Sequence, residues 1–278
     1  MFVSYQIKFR TALRGCLFFV MFANVLFACP ASVFSELNVD RLPTEDIVRV
    51  KGLIEKLAPL IKERDEQQNL STLTFSELYA PLNKKERKFL KSFQKLDGKK
   101  LGVKIPYRGI ATGKEELYVV KWQKITVTKD GKTGEEILPP QFVPLNVYEQ
   151  YLSMMLTMEQ DIGKRLLIES CYRSSAYQLY LFIFYLKNHD YSIRETVKFV
   201  ALPGYSEHGS PAHQAIDFIN AEGINGEDNP QEFEDIEEYQ WLLKNAGRFD
   251  FVLSYPKDAG SGITYEPWHW RYEQAKRK

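Results

Sequence analysis

Cysteine is scarce in this chain: three occur in 278 residues, and two of them, Cys16 and Cys29, fall within the first 29. Cys171 is left essentially alone, which excludes a disulfide framework. A lone cysteine is a poor candidate nucleophile, because that residue more often serves as a small buried apolar side chain. No basic stripe stands out either, with 37 Lys and Arg set against 36 Asp and Glu, and this argues against nucleic acid as a partner. The apolar run from Cys16 to Ala28 is short for a membrane span.

What is present fits a globular, exported protein. Lys8, Arg10 and Arg14 precede that apolar run in the manner of a signal peptide. Leu26-Phe27-Ala28-Cys29 resembles a lipobox, with Cys29 as the residue that would be acylated, while Ala31 and Ser32 also allow ordinary cleavage. The expected location is the periplasm or cell envelope. At 44% hydrophobic and 26% charged, the remainder can bury a core of one large or two modest domains.

Residues 45–64 carry Ile47, Val50, Ile54, Leu57 and Ile61 at helical spacing. Asn83 and Glu86 form a capping-box pattern ahead of Phe89, Leu90, Phe93 and Leu96. Asp130-Gly131 supplies turn chemistry for a hairpin, and Pro139, Pro140 and Pro144 punctuate the end of that region. Asn146 with Glu149, Ser175 with Gln178, and Ser192 with Glu195 open three further helices. Asn229 and Pro230 start one that runs to Gly247. Leu166–Ile168, Ala215–Ile219, Phe251–Tyr255 and Ile263–Trp270 read as strands. Helices mixed with short strands, without regular β-α-β alternation, make the fold class α+β.

The chemistry concentrates in two blocks. Ser206-Glu207-His208 with Ala215-Ile216-Asp217 forms the first, and Tyr265-Glu266-Pro267-Trp268-His269 the second. His208, Asp217 and His269 can supply three protein ligands to a zinc ion and leave a fourth position to water. Glu266 is then free to act as general base. Residues three apart on an ideal strand face opposite ways, so Glu266 and His269 converge only if the chain twists near Pro267. The alternative, a surface Glu266 and a satisfied core His269, leaves His208 and Asp217 unexplained. The acidic run Glu227–Glu238 lacks the spacing of a calcium loop and reads as a solvated face.

These blocks resemble the zinc D-alanyl-D-alanine carboxypeptidases of the VanY type, in the LAS peptidases, over about the last half of the chain. Ser206, His208, Ala215 and Asp217 match its Ser-x-His…Ala-x-Asp block, and Glu266, Trp268 and His269 its Glu-x-Trp-His block. The resemblance implies a Hedgehog/D,D-peptidase-like fold with zinc at the face of a small antiparallel sheet. It implies peptidoglycan stem peptides as substrate, with His208, Asp217 and His269 as ligands and Glu266 as base. L,D-carboxypeptidase or endopeptidase action at the same site, or a zinc-bearing module without catalysis, are the other readings. Ser170-Cys171-Tyr172-Arg173-Ser174 is similar to the family's Ser-Gly-Tyr-Arg-Ser segment, with Cys171 in place of glycine. Arg173 is thereby a candidate for the substrate carboxylate, with Tyr172, Gln178 and Ser206 beside it.

Two departures stand out. The step from His208 to Asp217 is two residues longer than the family pattern, and His213 stands where a glycine is expected. His213 is therefore read as a loop or cleft residue. Asp250 also replaces a common glycine. The expected division is 1–29 leader, 30–144 an N-terminal extension of unassigned role, and 145–278 the peptidase domain.

Overall fold

The computed structural model describes residues 37–129, 131–210, 212–257 and 265–273. The leader and Cys29 lie outside them. The chain runs through α1 (Thr44–Glu66), α2 (Phe75–Tyr79) and α3 (Lys84–Gln94), then β1 (Leu117–Val120), β2 (Lys124–Lys129), β3 (Lys132–Ile137) and β4 (Gln141–Pro144). It continues with α4 (Leu145–Ile162), β5 (Leu167–Ser170), α5 (Ser175–Tyr185), α6 (Ile193–Thr196) and β6 (Ala215–Ile219). It closes with α7 (Pro230–Asp235), α8 (Glu237–Asn245), β7 (Phe251–Leu253) and β8 (His269–Tyr272). Among the described residues no helix is long and apolar enough to cross a membrane.

The expected α+β class is what the chain adopts. An antiparallel sheet in the order β5-β6-β8-β7 is accompanied by two small antiparallel pairs, β1 with β4 and β2 with β3. Gln123, just before β2, stands in for a further strand at the β5 edge. Its side-chain amide donates to the Ile168 carbonyl at 2.8 Å and accepts from the Ile168 N–H at 2.8 Å.

Two hydrophobic cores form, and the 144/145 boundary does not separate them. The first joins Val50, Leu53, Leu57 and Ile61 of α1 and Phe89, Leu90 and Phe93 of α3 to Leu179, Phe182 and Ile183 of α5. The second gathers Val143, Met154, Met155 and Met158 under Ile216, Phe218, Trp268 and Trp270 of the sheet region. The methionines of α4 thus fill a core rather than line a ligand surface. Helix α5 is apolar nearly all round because it is buried from both directions.

Helix boundaries follow tertiary partners where the sequence signs were weak. Asn83 does cap α3: its side chain accepts from Lys85 and Glu86 N–H, and Glu86 reaches back to Asn83 N–H. Asn83→Ala is expected to cost about 0.5–2 kcal/mol, read as a shift in denaturation midpoint, and an unchanged midpoint would show that α3 is held by packing alone. Asn146 does not cap α4, which begins at Leu145 after Pro144. Ser174, not Ser175, caps α5 through Tyr177 N–H, since its hydroxyl is also fixed by the Leu73 carbonyl. The helix from Pro230 breaks at Ile236, whose extended backbone separates α7 from α8. Glu238 at that junction is buried, unlike the rest of the acidic run. Asp250 takes up the left-handed conformation, φ 61°, that a glycine would have supplied.

Candidate metal centre

Strand register assembles two of the predicted ligands. Asp217 on β6 lies opposite His269 on β8, so both project from the same place on the sheet. His208 arrives from a short 3-10 turn, Glu207–Gly209, held by Gln214, whose side-chain amide donates to the carbonyls of His208 and Ala215. The donor atoms of His208, Asp217 and His269 all lie within 4.8 Å of one another.

Ring orientation decides which nitrogens could face a cation. Nδ1 of His208 donates to the Cys171 carbonyl at 2.8 Å, leaving Nε2 at 3.1 Å from Asp217 Oδ2. His269 is reversed: Nε2 donates to Glu207 Oε2 at 3.2 Å, and Nδ1 sits 2.8 Å from Asp217 Oδ1. Each imidazole is thus tied at its outer nitrogen to an oxygen acceptor, the support that fixes ring and tautomer at metal sites. Two imidazoles and a carboxylate suit zinc.

The electrostatics agree with a site built for positive charge. Burial alone would raise the Asp217 carboxyl, yet His208 and His269 hold it well below the ordinary carboxylate range. Burial likewise opposes a charged His269, but Asp217, Glu207 and Glu266 push its pKa up to about 10. His208 goes the other way, lowered mainly by burial. The group of acids thus holds one positive charge on His269, a place that a divalent cation would take.

Glu266 reaches the cluster through a turn rather than a twisted strand. His269 N–H donates to the Glu266 carbonyl at 3.2 Å, Glu266 N–H donates to the Tyr255 carbonyl at 3.2 Å, and β8 starts only at His269. The strand expected from Ile263 is therefore a turn at Glu266–His269, and residues 263 and 264 lie outside the described set. The Glu266 carboxylate comes to 3.8 Å from His269 Nδ1. Burial first, then the nearby acids Asp217 and Glu207, push its pKa up to about 7, a value suited to a group that takes and returns a proton.

Other predicted residues settle differently. Arg173 is half-buried, its Nη1 donating to Gln178 Oε1 at 3.1 Å, and its charge is felt at His208. Gln178 is buried, and its amide nitrogen donates to the Ala201 carbonyl at 2.7 Å, so it steadies Arg173 rather than meeting a substrate. Tyr172, expected beside Arg173, has its hydroxyl engaged within the protein, donating to Glu115 and accepting from Gly113 N–H. Ser206 is buried just before the His208 turn. His213 remains in the loop, 3.9 Å from Glu273, and is absent from the donor cluster. Cys171 is buried, its thiol pushed up by desolvation, and only its carbonyl takes part.

Sequence reasoning missed Glu207, Arg271, Tyr255 and Arg108. Arg271 could have been found, because it lies two residues from His269 on β8 and so shares its face. Tyr255 packs its ring 4.8 Å from that of His269. No pattern links Arg108 to Glu207, 99 residues away.

Residues 144–275 match the family described as VanY, D-alanyl-D-alanine carboxypeptidase. The match covers 132 of the 278 residues, and over that segment the chain is similar to the VanY family. A D-alanyl-D-alanine carboxypeptidase of Enterococcus faecalis (strain ATCC 700802 / V583) is 42% identical over 80 residues, 28% of this chain and 26% of that protein. A bifunctional D-Ala-D-Ala dipeptidase and D-Ala-D-Ala carboxypeptidase of Enterococcus gallinarum is 29% identical over 149 residues, 48% of this chain and 74% of that one. The solved LD-carboxypeptidase LdcB is 25% identical, with a TM-score of 0.43, covering 58% of this chain and 71% of that chain. The chain thus spans about a quarter of the length of the Enterococcus faecalis relative. In the VanY-type segment, the cluster of His208, Asp217 and His269 is the place where zinc would be held.

Proposed function

We propose that this protein is an exported zinc peptidase that hydrolyses the terminal D-alanine from peptidoglycan stem peptides. The observation that carries this is the buried Glu266 carboxylate placed 3.8 Å from His269 Nδ1, at the edge of the three-donor cluster. Zinc in such a site, when bound, makes a water acidic and polarises a carbonyl. Glu266 takes the proton from the attacking water and passes it to the departing amine. Glu207 and the Cys171 carbonyl keep the two imidazoles aimed, so little reorganisation is needed.

Arg173 gives the reading its carboxypeptidase character. It sits one residue before Ser174, the cap of α5, where the positive end of the helix dipole favours an anion. A planar guanidinium held by Gln178 can meet a terminal carboxylate with two hydrogen bonds, which lysine cannot copy.

The test is the full-length protein, loaded with zinc, on stem peptides ending in D-Ala-D-Ala. Release of D-alanine should stop with a chelator and return with zinc. Arg173→Ala should lose roughly 1.5–3 kcal/mol of transition-state stabilisation, about 10- to 100-fold in kcat/KM, while zinc content stays the same. Arg173→Lys should lose less. Stems with an amidated terminus should be poor substrates for the wild type, and equal cleavage of free and amidated stems would refute a carboxypeptidase.

A further inference from the structure

Glu207 receives charge from two sides. Its Oε1 accepts from Arg108 Nη2 at 2.7 Å and from Arg271 Nη1 at 3.2 Å, which leaves Oε2 for His269 Nε2. The Glu207 side chain is only 2% exposed, and a carboxylate so deeply buried needs cations or donors to remain where it is. Arg271 divides itself, donating also to Glu273 at 2.9 Å and to Ser254 at 3.3 Å. Arg108 makes the shorter contact with Glu207.

Arg108 lies outside the VanY-matched span, yet its backbone is strapped to the loop that carries His208. Arg108 N–H donates to the Gly204 carbonyl at 2.6 Å. Gly204 adopts φ 86°, and a Cβ there would come within 2.3 Å of the Tyr107 ring, so only glycine lets the two segments close. The Tyr107 and Tyr205 rings meet edge to face at 5.5 Å, and Tyr205 OH accepts from Gly98 N–H at 3.0 Å. Two residues beyond Tyr205 the chain reaches Glu207.

We propose that Arg108, supplied by the N-terminal region, is a positioning residue of the zinc centre: by fixing Glu207 it aims Nδ1 of His269 at the metal. This rests on the zinc-centre reading. The N-terminal region thereby adds a second and shorter cationic contact to the one that Arg271 gives Glu207 from within the matched segment.

The test is a cycle of zinc affinities on the full chain, read by chelator competition and independent of any peptide substrate. Arg108→Gln should raise the zinc Kd about 10- to 100-fold, the loss usual for an outer-shell partner. Glu207→Gln should raise it at least as far, and the double variant should be no weaker than Glu207→Gln alone. Arg108→Lys should recover part of the affinity. An Arg108→Gln Kd within twofold of wild type, or losses that multiply in the double variant, would overturn the proposal. If Arg108→Gln does not fold, the same cycle with Arg108→Met, which keeps the side-chain bulk without its charge, decides by the same criterion. Wild-type protein that binds no zinc would overturn the metal centre itself, whereas zinc binding indifferent to Arg108 overturns only this inference.

Discussion

Glu266→Ala should retain about one zinc per chain and a native fold while losing turnover by on the order of 10² or more. The carboxylate stands beside the three donors without being one of them, so its removal spares the ligand set. It is also a buried acid raised mainly by desolvation, and replacing it with a methyl group leaves no uncompensated charge behind. Zinc content by metal analysis, thermal unfolding and peptide hydrolysis together check this. Near-normal turnover would remove Glu266 from the mechanism. Loss of zinc together with activity would make it a ligand instead.

A fragment beginning at residue 145 should fail to fold as a soluble monomer. Leu179, Phe182, Ile183 and Leu186 are fully buried, and the first core that covers them is built largely from residues before 102. Exposing each such side chain costs on the order of 1.5–3 kcal/mol. Four of them would consume most of a typical domain stability of roughly 5–15 kcal/mol. The cut also removes the Leu73 carbonyl from Ser174 and the reciprocal bonds between Ala111 and Ser175. Soluble yield and circular dichroism of the fragment check the expectation. A folded, zinc-binding fragment would show that the N-terminal region is an appendage.

Legibility in the sequence tracked the range of the interactions involved. His208, Asp217 and His269 were visible because side-chain types that can hold a metal recur in two short blocks, and β6 was visible in full as Ala215–Ile219. Asn83 and Ser192 were readable as caps because their partners lie within three residues. Ser174 was misplaced by one residue, and its second partner, Leu73, lies 101 residues away. The orientation of Tyr172 depends on Glu115, and that of Glu207 on Arg108, contacts that no local periodicity encodes. The Glu266–His269 turn lay between these cases. Pro267 announced a break in the strand, but the direction of the break is set by the bond to the Tyr255 carbonyl and by Trp270 Nε1 donating to the Pro267 carbonyl.

The side-chain amide of Gln123 has a consequence for how copies of this protein meet. An edge strand with free N–H and C=O groups is a template on which another chain can add a strand. At Ile168 both groups are already engaged by one glutamine, so β5 is sealed there without the cost of another strand. The growth of the sheet from molecule to molecule is blocked at the edge that carries Ser170, the residue paired with Asp217. The residue sealed by Gln123 and the residue paired with Asp217 thus lie two apart on one strand.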